Sequence, residues 1–176
     1  MNIKVVNYSK DITRVIINEP ETYNSLSFKN LNDLIKAFKK LDNDKKVKVI
    51  ILEGVGKGFS AGHNLKEISV LKKKNKYQKL FNLCSKLMLQ IVEGKKPVIA
   101  KVHGAAFAAG CQLVASCDLA YSTNESKFAT PGVNIGLFCS TPMVAVSRKI
   151  NRKRIMKMLL TGEPIKANYA KEIGLI

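Results

Sequence analysis

Acidic residues are scarce in this sequence, and tryptophan is absent. Only 13 Asp and Glu stand against 30 Lys and Arg in 176 residues, which gives a formal net charge of +17 at pH 7. A surface this basic attracts anions without selecting among them. The sequence has no aromatic-plus-basic ribonucleoprotein motif, phosphate-binding glycine-rich loop or zinc finger. We therefore expect most lysines on solvated faces, with a phosphate-bearing ligand or nucleic acid as the alternative.

The cysteines lack the spacing of a metal site, and no apolar run is long enough for a membrane span. None of them forms a CxxC pair, and all lie among apolar residues: Cys84, Cys111, Cys117 and Cys139. This pattern argues against a zinc site or a disulfide framework, so we expect reduced, mostly buried thiols and no metal. Charged and polar residues interrupt the most apolar stretch, residues 97–121, which therefore predicts a buried core.

Strand and helix patterns alternate along the whole chain. Two alternating, β-branched segments at residues 3–8 and 12–20 predict a hairpin, and apolar residues at helical spacing after Ser27, a predicted N-cap, indicate a helix. VKVIILEG and PVIAKVHG predict buried strands, and AAFAAGCQLVASC predicts a helix of small residues. No Pro/Gly/Ser-rich linker divides the chain. We predict one α/β domain over residues 1–176, with the strands in a sheet and the helices outside.

No signal-peptide region or Arg-rich presequence precedes the first strand pattern, which begins at Met1. We therefore expect an intracellular protein, cytoplasmic if the source is bacterial or in the mitochondrial matrix if it is eukaryotic.

Two turns have the same design. FSAGHNLKEI and KPVIAKVHGAAFAAGCQLVASC each place small residues between a strand and a helix. The first N–H groups of a helix lack an intrahelical partner and point towards such a turn. If the two turns face each other, their N–H groups can converge on one oxygen and form an oxyanion hole. Close packing alone also selects small residues, so both interpretations remain open at this point.

These two segments, with NEPETYNSLS before them and LLTGEPIKANYAKEIGLI after them, resemble the crotonase (enoyl-CoA hydratase/isomerase) superfamily over essentially the whole chain. The segments AAGCQLVASCD and ATPGVNIGLFCSTP are similar in sequence to one branch of hydratase relatives. The resemblance implies a β-β-α spiral that binds acyl-CoA thioesters. Family members run well past the point where this chain ends. We therefore expect the C-terminal helices, which close the site and build a homotrimer or hexamer, to be missing.

The resemblance also implies site residues. The backbone N–H groups of His63 and Ala109 would form the oxyanion hole, and Lys66 would meet the phosphates of coenzyme A. Coenzyme A enters as part of the substrate, and no permanently bound cofactor is implied. The residues implied to bind it are Asn24, Ser25, Leu26, Ala61, Gly62, His63, Asn64, Leu65, Lys66 and Gly110.

The sequence departs from the family where hydratases carry two glutamates. Gln112 stands at the first position and Gly132 at the second; an amide can orient water but cannot accept its proton, and glycine can do neither. Isomerase-like members place a carboxylate near Ser140, and none is present here. Cys139 and Ser140 are weak catalytic candidates, since a thiol needs a lowered pKa to accept an acyl group. The alternative for Cys139 is a buried, small apolar side chain.

We expect a hydratase-like lyase of fatty acid and acyl-CoA metabolism that polarises a thioester carbonyl. The alternatives are a non-catalytic acyl-CoA binder, an acyl-CoA decarboxylase and a thioesterase. An RNA-binding member is the least favoured alternative, because a solvated face explains the lysines of the first helix. The His63 side chain is a secondary candidate for a catalytic base. His103 is predicted to be a core histidine with its hydrogen bonds satisfied.

Overall fold

A computed structural model describes residues 2–176. The strands are β1 (Ile3–Asn7), β2 (Ile12–Ile17), β3 (Val49–Gly54), β4 (Gly58–Ser60), β5 (Val98–Val102), β6 (Ala105–Phe107), β7 (Leu119–Ser122), β8 (Lys127–Ala129) and β9 (Ile165–Lys166). The helices are α1 (Phe28–Asn43), α2 (Leu65–Ser69), α3 (Lys74–Val92), α4 (Ala109–Ser116), α5 (Ser140–Val146), α6 (Arg152–Thr161) and α7 (Ala167–Glu172). Short 3₁₀ turns cover Pro20–Thr22 and Pro131–Ile135.

The strands form two sheets rather than the one sheet that the alternation predicted. The larger has the order β1-β2-β3-β5-β7, and the smaller has the order β4-β6-β8-β9. Three later β-β-α units each send their first strand to the larger sheet and their second strand to the smaller one, before the chain continues as a helix, whereas both strands of β1-β2-α1 lie in the larger sheet. The units β3-β4-α2, β5-β6-α4 and β7-β8-α5 follow this rule. This is the β-β-α spiral that the resemblance implied.

The predicted hairpin and first helix are confirmed. β1 and β2 pair antiparallel, and the Asn30 N–H donates to the Ser27 hydroxyl at 3.2 Å, which caps α1. The helix prediction for AAFAAGCQLVASC is wrong at its start. Residues Ala105–Phe107 form β6, which pairs with β8, and α4 begins only at Ala109. Small residues carry little helical periodicity, so the sequence pattern could not separate the strand from the helix.

A loop residue with a buried polar side chain, Asn24, joins the first β-β-α segment to the smaller sheet. Asn24 is fully buried and has a left-handed backbone with φ of 54°. Its amide nitrogen donates to the backbone oxygens of Val55 (2.7 Å) and Gly58 (2.8 Å), and its oxygen accepts from the Glu19 N–H (3.0 Å). The loop that precedes α1 is therefore fixed against β4. Within residues 2–176, no helix has the length and apolar character needed to cross a membrane.

We expect Asn24→Ala to lower the free energy of unfolding by about 3 kcal/mol, because it leaves buried backbone groups without partners and puts alanine at positive φ. Urea denaturation measures the change. Asn32→Ala is the matched control, because the exposed Asn32 side chain donates only to Phe28 of its own helix. Equal stability of both variants would contradict the role of Asn24.

Candidate functional site

The two small-residue turns lie directly against each other. A Cβ on Gly62 would come within 2.9 Å of the Ala109 backbone nitrogen, and a Cβ on Gly110 would come within 2.2 Å of the Ser60 backbone oxygen. Gly62 also has φ of +88°, which favours glycine on conformational grounds. The His63 nitrogen is three bonds away from the Cβ position built on Gly62. From standard backbone dimensions, we therefore place the His63 nitrogen within about 6 Å of the Ala109 nitrogen.

The backbone N–H groups of His63 and Ala109 are available for a ligand. In residues 2–176, neither group has a hydrogen-bond acceptor from the protein. Ala108, directly before Ala109, has φ of 49° and ψ of −118° and, within residues 2–176, is one of three non-glycine residues at positive φ. Such strain persists only where surrounding contacts hold it, and here the Ala108 N–H donates to Ala129 at 2.9 Å. The turn is therefore held in a conformation that leaves the next N–H unpaired.

The His63 side chain follows the first turn and is half-buried. Its Nδ1 is 3.3 Å from the Leu26 backbone oxygen, and its ring meets Phe81 edge to face at 5.4 Å between centroids. Its Nε2 is buried and, among the described residues, has no hydrogen-bond partner. Burial lowers the pKa of His63 below its ordinary value of 6.5, although the Leu26 oxygen opposes this shift. The imidazole is therefore neutral at pH 7, with Nδ1 as its donor and Nε2 as a free acceptor.

We expect His63 to make folding pH-dependent. Its pKa is lower in the folded chain than in the unfolded chain, so the unfolded state binds more protons at acidic pH. The free energy of unfolding therefore falls as pH drops below 6.5 and stops falling below the lowered pKa of the folded state. Urea denaturation from pH 8 to about pH 5 measures this slope. His63→Gln should have a shallower slope than the native chain; an unchanged slope would refute the assignment.

Two further polar side chains near these turns have buried atoms without partners. Gln112 lies on α4 three residues beyond Ala109, and Thr130 follows β8, which pairs with β6. The Gln112 side-chain oxygen and the Thr130 hydroxyl have no hydrogen-bond partner among residues 2–176. Unpaired buried polar atoms are rare and costly, so each one requires an explanation such as a bound water or ligand.

Gly132, predicted to stand at the second glutamate position, has no space for a side chain. A Cβ there would come within 2.6 Å of the Leu137 backbone oxygen and 2.8 Å of the Cys139 sulfur. The Gly132 N–H donates to that sulfur at 3.3 Å. Burial raises the pKa of the Cys139 thiol, and the Gly132 N–H only partly offsets the shift. The thiol therefore fills the space beside Gly132, and the raised pKa leaves little of the thiolate that an acyl acceptor needs.

We expect Gly132→Glu to destabilise the chain by about 1–3 kcal/mol and to create no hydratase activity, because its Cβ overlaps two fixed atoms. Ile135→Glu is the control, since it adds the same charge on the same 3₁₀ turn at a side chain that is 57% exposed. Thermal unfolding compares the two variants, and mass spectrometry of crotonyl-CoA incubations detects added water. A stable, hydrating Gly132→Glu variant would disprove this account.

The residues implied to bind coenzyme A divide into buried and exposed groups. Asn24, Ser25 and Leu26 are at most 3% exposed, so they offer almost no surface to a ligand. The Leu26 N–H donates to the Gly62 oxygen at 2.8 Å, which joins this segment to the first turn. On the other side of that turn the chain reaches solvent. Ala61, Leu65 and Lys66 are exposed, and the Asn64 side chain caps α2.

The remaining predictions concern Ser140, His103 and the cysteines. Ser140 is exposed at the start of α5. The prediction of a core histidine at 103 is wrong: His103 is half-buried at the end of the larger sheet, where Nε2 lies 2.8 Å from the Gly56 oxygen. All four cysteines are buried and free, and burial raises the pKa of Cys84 and of Cys111 to about 12.

The lysines of α1 lie mostly on its solvent side. Lys36, Lys39 and Lys40 are exposed, and Lys29 pairs with Asp33 at 2.9 Å.

Comparison with known proteins identifies the family. The enoyl-CoA hydratase/isomerase family model matches residues 7–176. The chain belongs to this family. Among curated relatives, it is 47% identical over 174 residues to enoyl-CoA hydratase domain-containing protein 3 of Xenopus laevis, covering 99% of this chain and 59% of that protein. The corresponding human protein is 46% identical over 165 residues, with coverage of 94% and 54%. The predicted similarity to one branch of hydratase relatives is confirmed.

Solved structures of the family share the fold. A crystal structure of an enoyl-CoA hydratase from Mycobacterium smegmatis has a TM-score of 0.98 at 44% identity and covers 100% of this chain and 68% of that chain. The human domain-containing protein 3 structure gives 0.96 at 43% identity, with coverage of 100% and 69%. The chain thus spans a little over half the length of the curated relatives it matches.

Sequence reasoning missed three features of this site. Thr130 and Phe81 carry no local motif, because their closeness to the turns comes from β8 and α3 in three dimensions. The strained backbone of Ala108 is equally hidden, since alanine has no preference for positive φ. Only the small residues on both sides of Ala108 pointed to an unusual turn.

Proposed function

We propose that this chain binds an acyl-CoA thioester and polarises its carbonyl with the backbone N–H groups of His63 and Ala109. The observation that carries the proposal is the close contact of the two turns, with both N–H groups unpaired. Paired donors of this kind stabilise the negative charge that develops on a thioester oxygen. Glycines at 62 and 110 keep side chains out of that space. The activity is hydratase-like, as the family suggests, within fatty acid and acyl-CoA metabolism.

Coenzyme A would lie across the exposed side of the first turn. Ala61, Leu65 and Lys66 are accessible there, and the buried Asn24–Leu26 segment supports the turn from behind. The Lys66 ammonium is free to approach phosphate oxygens, which gives part of the +17 charge a function. Coenzyme A is part of the substrate, and the chemistry we propose uses no other cofactor.

The chemistry near the carbonyl has no carboxylate at the two family positions. The Gln112 amide can orient a water through its unpaired oxygen but cannot accept a proton. The neutral His63 Nε2 is a buried acceptor, yet its lowered pKa makes it a weak base. We therefore favour a reaction that needs little acid–base help from the protein or is assisted by the substrate itself. Decarboxylation and thioester hydrolysis stand beside hydration as candidate reactions.

A non-catalytic acyl-CoA binder is the second candidate. The observation in its favour is Gly132, where the backbone and Cys139 leave no space for a catalytic side chain. Tight acyl-CoA binding without any product distinguishes this candidate from the first. RNA binding is the least favoured candidate, because it has no support beyond the exposed lysines of α1.

The names of two relatives give a cellular location for those proteins. The Xenopus laevis and human proteins are named as mitochondrial. We propose the mitochondrial matrix for this chain if its source is eukaryotic and the cytoplasm if it is bacterial. A homotrimer or hexamer is the proposed assembly of the longest form of the protein.

Removal of one donor tests the site. We expect Ala109→Pro to lower turnover of the preferred thioester about a hundredfold, because one oxyanion donor contributes roughly 3 kcal/mol to the transition state. Mass spectrometry of a panel that includes crotonyl-CoA and a malonyl-type thioester identifies the product as hydrated, decarboxylated or hydrolysed. If the native chain binds thioesters without product, the same variant should weaken binding instead.

The matched control is Arg152→Pro, which places proline at the first position of α6, where the N–H also lacks an intrahelical partner. Circular dichroism and the unfolding midpoint confirm that each variant folds. Should Ala109→Pro not fold, an ester in place of the 108–109 peptide bond removes the same N–H without the ring. Full turnover or binding in a folded variant would show that the site lies elsewhere.

A further inference from the structure

A groove between three helices lies on the side of α4 that carries Gln112. It lies among α3, α4 and α5 and has a volume of about 330 Å³. Gln112, three residues beyond Ala109, lines it with a side chain that is 5% exposed and an oxygen without a partner. Its apolar wall consists of Met88, Leu89, Val92, Ala115, Val144 and Ala145. An apolar wall of this kind suits a hydrocarbon chain.

The direction of the groove follows from the alignment of α4 and α5. Both helices begin beside residues 129–132, because the Ala108 N–H, directly before α4, donates to the Ala129 oxygen and the Gly132 N–H donates to the sulfur of Cys139, directly before α5. Residues along both helices then line the same groove. The two helices therefore run side by side in the same direction. The groove begins near Gln112 and ends where Asp118, Arg148 and Lys149 line it.

The far end of the groove is basic. Asp118 is engaged there, because its carboxylate accepts from the Val98 N–H at 2.7 Å. Among residues 2–176, no carboxylate lies within 4.0 Å of the side-chain nitrogens of Arg148 or Lys149. Two cations and one occupied carboxylate leave a net charge of +1 at this end. An anion placed here would gain two partners that the protein does not otherwise use.

We propose that the groove selects acyl groups that end in a carboxylate, with Arg148 and Lys149 as the specificity-determining residues. This inference rests on the proposed function, because it takes the thioester carbonyl to lie at His63 and Ala109. From Gln112 to Ser116, α4 rises by about 6 Å at 1.5 Å per residue, and Cys117 and Asp118, which follow the helix with Cys117 extended, add up to roughly 7 Å. An extended chain advances roughly 1.3 Å per carbon, so about five to ten carbons span this length. The substrate class is the monothioester of a medium-length dicarboxylic acid with coenzyme A.

The test compares two ligands that differ only at the far end of the acyl chain, octanedioyl-CoA and octanoyl-CoA. Isothermal titration calorimetry of the 176-residue chain should show about tenfold tighter binding of octanedioyl-CoA, the order expected for hydrogen bonds to a charged group. The coenzyme A moiety is the same in both ligands, so its attraction to the basic surface cancels in the ratio. Added salt should reduce the ratio, since the far end of the groove is partly exposed.

The deciding variant is Arg148→Gln combined with Lys149→Gln, which should bring the ratio close to one. Arg152→Gln combined with Lys153→Gln is the matched control: it removes the same charge from exposed positions on the next helix and should keep the ratio. Equal binding of both thioesters by the native chain, or a ratio that survives the deciding variant, would overturn this inference alone. Binding of neither thioester would overturn the proposed function as well.

Discussion

The structure depends on the backbone contact between two turns that have almost no side chains. A Cβ at Gly110 would overlap the Ser60 oxygen, and one at Gly62 would occupy the space in front of the Ala109 nitrogen. The smaller sheet makes this approach possible, because β4 and β6 pair in parallel and end together at the turns. Any larger residue would have to separate the two strands or fill the space between the donors. The requirement for small residues therefore comes from the sheet and the candidate site together.

How far the sequence predicts this protein depends on how local each feature is. The α1 helix and the β1-β2 hairpin follow from periodicity and from one N-cap, which are short-range signals. The division of the strands between two sheets is not local, because β3 and β4 are separated by only three residues and yet belong to different sheets. The oxyanion donors could be proposed from small residues and family resemblance. Thr130, Phe81 and the groove to Lys149 depend on packing between distant segments.

The two positions at which the resemblance implies glutamates differ in their surroundings. At Gln112 the amide keeps the size and place of a glutamate and changes only its ability to accept a proton. At Gly132 the surroundings have changed too, because Cys139 and the Leu137 carbonyl occupy the position that a side chain would need. Gln112→Glu could therefore place a carboxylate at 112, whereas the contacts of Gly132 leave no space for one at 132.

The unpaired polar atoms indicate where a ligand would gain hydrogen bonds. Leaving a buried donor or acceptor without a partner costs about 1–3 kcal/mol, so the Gln112 oxygen, the Thr130 hydroxyl and His63 Nε2 are a substantial cost for a marginally stable domain. That cost is recovered when a ligand or an ordered water supplies the partner. All three atoms belong to segments that flank the two turns, whereas Asn24, equally buried, has its side chain fully paired. Unpaired atoms beside the turns and paired ones behind them are the arrangement expected of a binding site on a rigid support.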